Sequence, residues 1–125
     1  MIGSSFIFIH KYFYIIQLLI TKMDNNLIKW DIYEISAENS SLTGVKLRGR
    51  IRKFGLKNNI NILTENTTDV SGNVRIAILE NTNISIIDSF LKKIIPDFYL
   101  ELKVKGIKNP VLSKLKVNDE SRYII

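Results

Sequence analysis

The chain has 125 residues, of which 46% are hydrophobic and 24% charged, with two prolines and no cysteine. This length and composition fit one globular domain with one core. The lack of cysteine excludes disulfides, thiolate metal sites and cysteine nucleophiles. His10 is the only histidine and lies in a hydrophobic stretch, which disfavours serine–histidine catalysis and histidine metal sites. The formal net charge of +6 favours an anionic partner such as phosphate, nucleic acid or a membrane surface.

Residues 6–20 form the most hydrophobic stretch of the chain. The stretch is short and interrupted by polar residues, whereas a membrane-spanning helix needs roughly twenty predominantly apolar residues. No positive charge precedes it, which is atypical of a secretory signal. Because Met23 is followed by polar residues and a strand pattern, we interpret residues 1–22 as a spurious or loosely attached extension and residues 23–125 as a cytoplasmic domain. A membrane anchor or uncleaved signal and a genuinely packed element are the alternatives.

The first predicted element is a strand over residues 28–37, which are rich in aromatic and β-branched side chains. The apolar residues alternate, with Trp30 and Ile32 on one face and Tyr33 and Ile35 on the other. A polar loop follows this strand and leads into the first helix.

The first predicted helix covers residues 46–58. Its core-facing residues recur at helical spacing: Leu47, Ile51, Phe54 and Gly55. Basic residues lie mostly around the outside, as on a solvated helix face: Arg48, Arg50, Arg52, Lys53 and Lys57. Asn58 and Asn59 can end the helix, because asparagine tolerates the left-handed conformation common at that position.

The second half of the chain predicts a hairpin and another helix. Residues 60–65 and 74–79 are predicted strands, joined by a turn over residues 66–72. An amphipathic helix is predicted from residue 84 to residue 95, with capping residues before it and Pro96 after it.

The remaining residues predict further strands. Residues 98–104 alternate as a strand, and residues 111–117 and 122–125 are candidates for additional strands. The predicted order is therefore β-α-β-β-α-β with extra strand at the end. This order predicts an α+β fold, a ferredoxin-like βαββαβ sandwich with an antiparallel sheet and two helices on one face.

The stretch from Gly44 to Arg48 is the strongest candidate for a functional site. A glycine-started turn places Arg48 on the first turn of the predicted helix. Backbone N–H groups of such a turn and of a helix N-terminus can hold a phosphate-sized anion. The guanidinium adds a forked pair of donors. Asn66, near the end of the next strand, could hold a water molecule beside the same place.

This layout resembles the acylphosphatase family over about residues 29–96. The family carries a loop after its first strand of the form Gly-x-Val-Gln-Gly-Val-x-Phe-Arg, and residues 40–48 are similar, with a Gly-Val pair, an apolar residue and Arg48 in register. The family's second catalytic residue is an asparagine at the end of the second strand, and Asn66 stands at the matching interval. The chain departs from the family's Gly, Gln and Phe or Tyr at three loop positions: Ser40, Thr43 and Leu47.

The resemblance implies hydrolysis of the carboxyl–phosphate bond of acyl phosphates by a monomer that needs no metal and no cofactor. Arg48 and the loop amides would bind the phosphate, and Asn66 would position the attacking water. Phosphoryl transfer of this kind depends mainly on positioning and electrostatic stabilisation. The implied partners are a small acyl phosphate or inorganic phosphate. The implied phosphate-binding residues are Leu42, Thr43, Gly44, Val45, Lys46 and Leu47.

The alternative is a non-catalytic ferredoxin-like module that binds an anion or RNA, since the fold alone does not decide function. An RNA-recognition motif would need exposed aromatic residues on a central strand, and residues 74–79 contain none. Nucleic acid is therefore the less favoured partner, and a membrane is expected only if residues 6–20 are an anchor. Nucleic-acid binding would use the basic residues Arg50, Arg52, Lys53, Lys103, Lys105 and Lys108.

Overall fold

The computed structural model describes residues 28–38, 42 and 46–119. In these residues the elements are β1 (Trp30–Ala37), α1 (Leu47–Lys57), β2 (Ile62–Asn66), β3 (Val74–Leu79), α2 (Ile84–Ile94), β4 (Phe98–Ile107) and a 3₁₀ helix (Leu115–Val117). The strands form one antiparallel sheet in the order β2-β3-β1-β4. The predicted α+β class with an antiparallel sheet is confirmed. The predictions for residues 1–22 and 122–125 lie outside the described residues.

β1 is a central strand with both faces buried. It pairs with β3 on one side and with β4 on the other. Ile35 and Ile32 are both 0% exposed, but they belong to different hydrophobic clusters. Tyr33 packs with the first cluster and Trp30 with the second, so the predicted alternation is confirmed.

The main core joins both helices to alternate residues of the sheet. α1 contributes Leu47 and Ile51, and α2 contributes Ile87 and Leu91, all of them 1% exposed or less. The rings of Phe54 and Phe90 stack between the two helices with their centroids 4.2 Å apart. The sheet residues in this cluster are Ile35, Val74, Ile76 and Ile78.

The connection from α1 to β2 explains why β2 begins later than predicted. The N–H of Ile60 donates to the carbonyl of Gly55 at 2.9 Å, which keeps Ile60 in the helix-ending turn. Asn59 has a φ of 55°, the left-handed conformation expected of an asparagine after a helix. The strand therefore starts at Ile62.

The opposite face of the sheet is covered in part by the segment after β4. Leu112 of this segment belongs to the second cluster, with Ile32, Ala77 and Ile107. The prediction of a strand over residues 111–117 is wrong. The N–H and carbonyl of Val111 both bond to the side chain of Asn118, at 2.8 and 2.6 Å, so side chains occupy the backbone groups that a strand would pair.

No helix in the described part of the chain is long and apolar enough to cross a membrane.

Candidate functional site

The described residues of the candidate site lie where α1 begins and β2 ends. Arg48 is in the first turn of α1, and Asn66 is the last residue of β2, where it pairs with Val74. Nη1 of Arg48 lies 3.8 Å from Oε2 of Glu65, the residue directly before Asn66. The ion pair therefore connects the first turn of the helix to the strand end that carries the asparagine.

Leu42 connects the preceding loop to the same end of the sheet. It is 1% exposed in the main core, and its N–H donates to the carbonyl of Gly72 at 2.8 Å. Gly72 belongs to the turn that joins β2 to β3, and this turn begins directly after Asn66. Leu47, where the loop enters α1, is also 1% exposed. Leu42 in the middle of the loop and Leu47 at its end are thus both held by the core.

The roles predicted for Thr43, Gly44 and Val45, and the effect of Ser40, concern residues outside the described ranges and stay predictions.

Lys46 is the N-cap residue directly before α1, and its φ of 56° and ψ of 34° lie in the left-handed region. A left-handed residue next to helical residues turns successive N–H groups toward one side, where they can bind an anion. The side chain of Lys46 makes no capping hydrogen bond, and the first turn of the helix contains no acidic residue. By contrast, Asn83 caps α2 by accepting from the N–H of Ser85 at 3.1 Å. The start of α1 therefore presents donors and the positive end of the helix dipole without a carboxylate from its own first turn.

The ion pair between Arg48 and Glu65 is weak enough for an anion to replace it. Their side chains are 41% and 55% exposed, and their closest charged atoms are 3.8 Å apart. Exposed ion pairs of this kind contribute about 0–1 kcal/mol. The Arg48 guanidinium is therefore available to a phosphate that also receives N–H groups from the helix start.

Sequence reasoning missed Thr64, a buried neighbour of the candidate site. Thr64 is 4% exposed, and its Oγ1 has no hydrogen-bond partner among the described residues. It lies two residues before Asn66 and hence on the same face of β2. A threonine at this spacing from Asn66 is visible in the sequence, but its burial and its unpaired hydroxyl are not.

The predicted solvated face of α1 is confirmed, because Arg50, Arg52 and Lys53 are exposed. Arg52 also donates from Nη2 to the carbonyl of Thr64 at 3.4 Å, on the outer edge of the sheet. The part of the chain that the structure describes holds no group of three His, Asp or Glu residues suited to a metal ion.

A second polar cluster, which sequence reasoning also missed, surrounds Arg75 of β3. Arg75 is 1% exposed, and its guanidinium donates to Oε1 of Glu34 at 2.7 Å and to Oδ1 of Asp69 at 2.8 Å. It also donates to the carbonyl of Leu112 at 3.1 Å, and the N–H of Leu115 donates to Oδ2 of Asp69 at 2.9 Å. The cluster connects the sheet to the C-terminal segment, which is a structural role.

The pKa of Asp69 is lowered from its ordinary value of 3.8. The main cause is the N–H of Leu115, which favours the charged carboxylate, and Arg75 acts in the same direction against an opposing effect of burial. The cluster therefore holds Asp69 as a carboxylate.

A comparison with family models found no match for this chain, and comparisons with curated proteins and with solved structures found none either. A helix start whose N-cap residue makes no side-chain capping bond, with an arginine in its first turn, lies next to a strand end that carries an asparagine. This arrangement is chemically suited to bind a phosphate-sized anion.

Proposed function

We propose that this chain is a cytoplasmic, acylphosphatase-like hydrolase with a ferredoxin-like sandwich fold, acting as a monomer on small acyl phosphates. The antiparallel strand order β2-β3-β1-β4 supports the fold, as does the single cluster that contains buried residues of both helices. The resemblance of residues 40–48 and of Asn66 to the family motifs supports the activity.

The observation that carries the proposal is the contact of 3.8 Å between Arg48 and Glu65. This contact places the Arg48 guanidinium at the end of β2. Asn66 pairs with Val74, which lies in the main core with Leu47, so the Asn66 side chain points to the face of the sheet that carries α1, whereas Glu65 points to the other face. Together these observations support a site in which the arginine and the asparagine act on one substrate. The hydrogen bond from Leu42 to Gly72 adds support, since it holds the loop near the same strand end.

In the proposed mechanism Arg48 and the amides of residues 42–47 bind the three non-bridging oxygens of the phosphoryl group. The side-chain amide of Asn66 holds a water molecule in line with the bond to the acyl oxygen. Attack by this water breaks the phosphorus–oxygen bond and releases the carboxylate and phosphate. The carboxylate is a good leaving group, so no strong general acid is needed. The activation free energy is lowered because the reactants are held in position and because hydrogen-bond donors surround the developing charge.

The Arg48→Ala variant of the full chain is expected to lose about 10²–10³-fold in kcat on benzoyl phosphate, the usual effect of removing one preorganised donor. Arg48→Lys should recover little activity, because lysine lacks the forked donor geometry. The measurement is release of inorganic phosphate under saturating substrate. Lys92→Ala is the control, since this lysine lies on α2 with its side chain 70% exposed. Equal loss of activity in Arg48→Ala and Lys92→Ala would contradict the proposal.

The Asn66→Ala variant should separate catalysis from binding. We expect kcat to fall by about 10²-fold because the water is no longer positioned, while the inhibition constant of inorganic phosphate changes by less than about threefold. Steady-state kinetics with phosphate as the inhibitor measure both quantities. A parallel loss of phosphate affinity would contradict the role of Asn66 in positioning water.

A non-catalytic anion-binding module is the second candidate, and the start of α1, where the N-cap side chain makes no capping bond, supports it equally. It predicts phosphate binding that Arg48→Ala abolishes, without turnover of benzoyl phosphate by the unmodified chain. For nucleic-acid binding, the six basic residues suggested by the sequence lie on different elements, α1 and the region of β4. Two of them also pair with carboxylates: Lys103 with Glu101 at 2.9 Å and Lys105 with Asp31 at 3.8 Å.

A further inference from the structure

The two helices enclose an open groove of about 690 Å³ between them. Its apolar floor includes Phe54 of α1 together with Phe90 and Ile94 of α2. The phenyl rings are partly buried and stack on each other with an interplanar angle of 16°, so they give the groove a firm floor. A hollow of this size with mostly apolar walls is in the range of ligand and peptide sites.

The rim of the groove is positively charged. Arg50, Lys53 and Lys57 recur along α1, and Lys93 lies on α2. No Asp or Glu occurs among the described residues that line this part of the groove. Four cations with no carboxylate among the described residues that line this hollow produce a local positive potential that favours an anionic partner.

The groove continues toward the start of α1. A second hollow of about 370 Å³ shares Arg50 and Ile94 with the first. Leu47, Pro96 and one carboxylate, Asp97, also line it, so cations outnumber carboxylates along the combined groove. The 11 residues of α1 correspond to about 16 Å of helix. The combined surface is therefore long enough to contact about three turns of a partner helix.

We propose that this groove binds an acidic amphipathic helix of another protein. Apolar residues of such a helix, repeating every three or four positions, would contact the phenylalanine floor. Aspartate and glutamate residues beside that stripe would pair with the cations of the rim. The groove meets the proposed phosphate site at Leu47, but helix binding does not depend on acyl-phosphate hydrolysis.

The exposed apolar residues beside the groove favour a peptide over nucleic acid. Ile86 is 44% exposed and lies one helical turn before Phe90, so it extends the apolar stripe of α2. Single-stranded nucleic acids instead need free aromatic faces for base stacking, and Phe54 and Phe90 stack on each other.

The positive charge of the rim also favours an acidic partner over the chain's own N-terminal segment as the occupant of the groove. Residues 1–22 contain Lys11 and Lys22 and no carboxylate, so they do not complement a basic rim. An acidic partner does.

The binding test uses the full chain and three fluorescein-labelled probes. The first is a peptide of about 15 residues with leucine at i, i+3, i+4 and i+7 and glutamate at most other positions. The second is a scrambled peptide of the same composition without an apolar stripe, and the third is an oligouridylate of about 12 nucleotides. Fluorescence anisotropy should show at least about tenfold tighter binding of the first peptide than of either other probe, and weaker binding at high salt.

The variant test reverses charges on exposed residues. The double variant Lys53→Glu with Lys57→Glu is expected to weaken binding of the amphipathic peptide by about tenfold or more. The control, Lys114→Glu with Lys116→Glu, makes the same charge change on the opposite face of the sheet, where both lysines are exposed, and should change affinity by less than about threefold. Thermal melts monitor folding of both variants. Equal weakening by the control pair, equal binding of the scrambled peptide, or tighter binding of oligouridylate would each overturn the proposal.

Discussion

At the scale of single residues, the buried hydroxyl of Thr64 is the most informative group near the proposed site. Thr64 is 4% exposed, and its Oγ1 has no hydrogen-bond partner among the described residues. A buried hydroxyl in this state costs about 1–3 kcal/mol of folding free energy. Residues that reduce stability are often found at functional sites, where activity and stability compete. Its place on β2, two residues from Asn66, fits this pattern.

Thr64→Val is expected to raise the free energy of unfolding by about 1 kcal/mol, because the methyl group that replaces the hydroxyl needs no hydrogen-bond partner. Thr64→Ser is the matched control, since it keeps the hydroxyl and loses the methyl group, and it should lower stability. Urea denaturation of both variants measures the two effects. A valine variant less stable than the parent chain would show that the hydroxyl is hydrogen-bonded in the folded protein. Assaying the stabilised variant on benzoyl phosphate then tests whether the hydroxyl serves the site.

At the scale of elements, the correctly predicted segments are those in which the spacing of apolar residues matches the residues that are buried. Leu47, Ile51 and Gly55 recur at helical spacing in α1, and all three are buried. The segment after Pro110 carries no comparable signal, because its backbone bonds to side chains elsewhere in the chain, such as Arg75. The same limit applies to the candidate site. The interval between Arg48 and Asn66 is readable from the sequence, whereas the contact with Glu65 depends on how α1 lies against β2.

The same substitution, glycine to alanine, is expected to have opposite effects on stability at the two glycines of α1. A Cβ atom at Gly55 would lie 2.9 Å from the carbonyl oxygen of Ile60, a backbone atom that cannot move away cheaply, whereas a Cβ at Gly49 would meet no atom of the described residues within 4 Å. Gly55→Ala should therefore lower the free energy of unfolding by about 1–3 kcal/mol. Gly49→Ala should raise it by about 0.5–1 kcal/mol, because alanine favours the helix.

Chemical denaturation of the two alanine variants beside the parent chain checks this prediction. Opposite signs are expected from the same substitution in the same helix. If both variants were destabilised equally, helix propensity and the contact with Ile60 would not explain the difference between the two positions.

At the scale of the whole molecule, the Arg75 cluster joins parts of the chain that are distant in sequence. Glu34 lies in β1, Asp69 in the turn between β2 and β3, and Leu112 in the segment after β4. The guanidinium bonds to all three. The C-terminal segment is therefore held on the second face of the sheet by polar contacts as well as by a small apolar cluster. Because the Arg75 guanidinium is buried, removing one of its carboxylate partners leaves this buried charge without its full set of partners, which is more costly than losing a surface ion pair.

The lowered pKa of Asp69 makes this connection depend on pH. Because the N–H of Leu115 and the charge of Arg75 favour the carboxylate, the folded protein binds the Asp69 proton more weakly than the unfolded chain does. The resulting stabilisation is fully present above the ordinary pKa of 3.8 and is lost as the pH falls through the lower pKa of the folded state. Asp69→Asn mimics the protonated form at every pH.

Asp69→Asn is therefore expected to lower the Tm by about 3–8 °C at neutral pH, and the difference from the parent chain should shrink as the pH falls below 3.8 and through the lowered pKa of Asp69 in the folded protein. Thermal melts at several pH values between about 2.5 and 7 measure this difference. The control is Asp88→Asn, which removes an ion pair with Lys92 between consecutive turns of α2 and should shift the Tm by no more than about 2 °C at any pH. A Tm difference for Asp69→Asn that stayed constant down to about pH 2.5 would mean that the shape of the carboxylate, and not its charge, holds the C-terminal segment on the sheet.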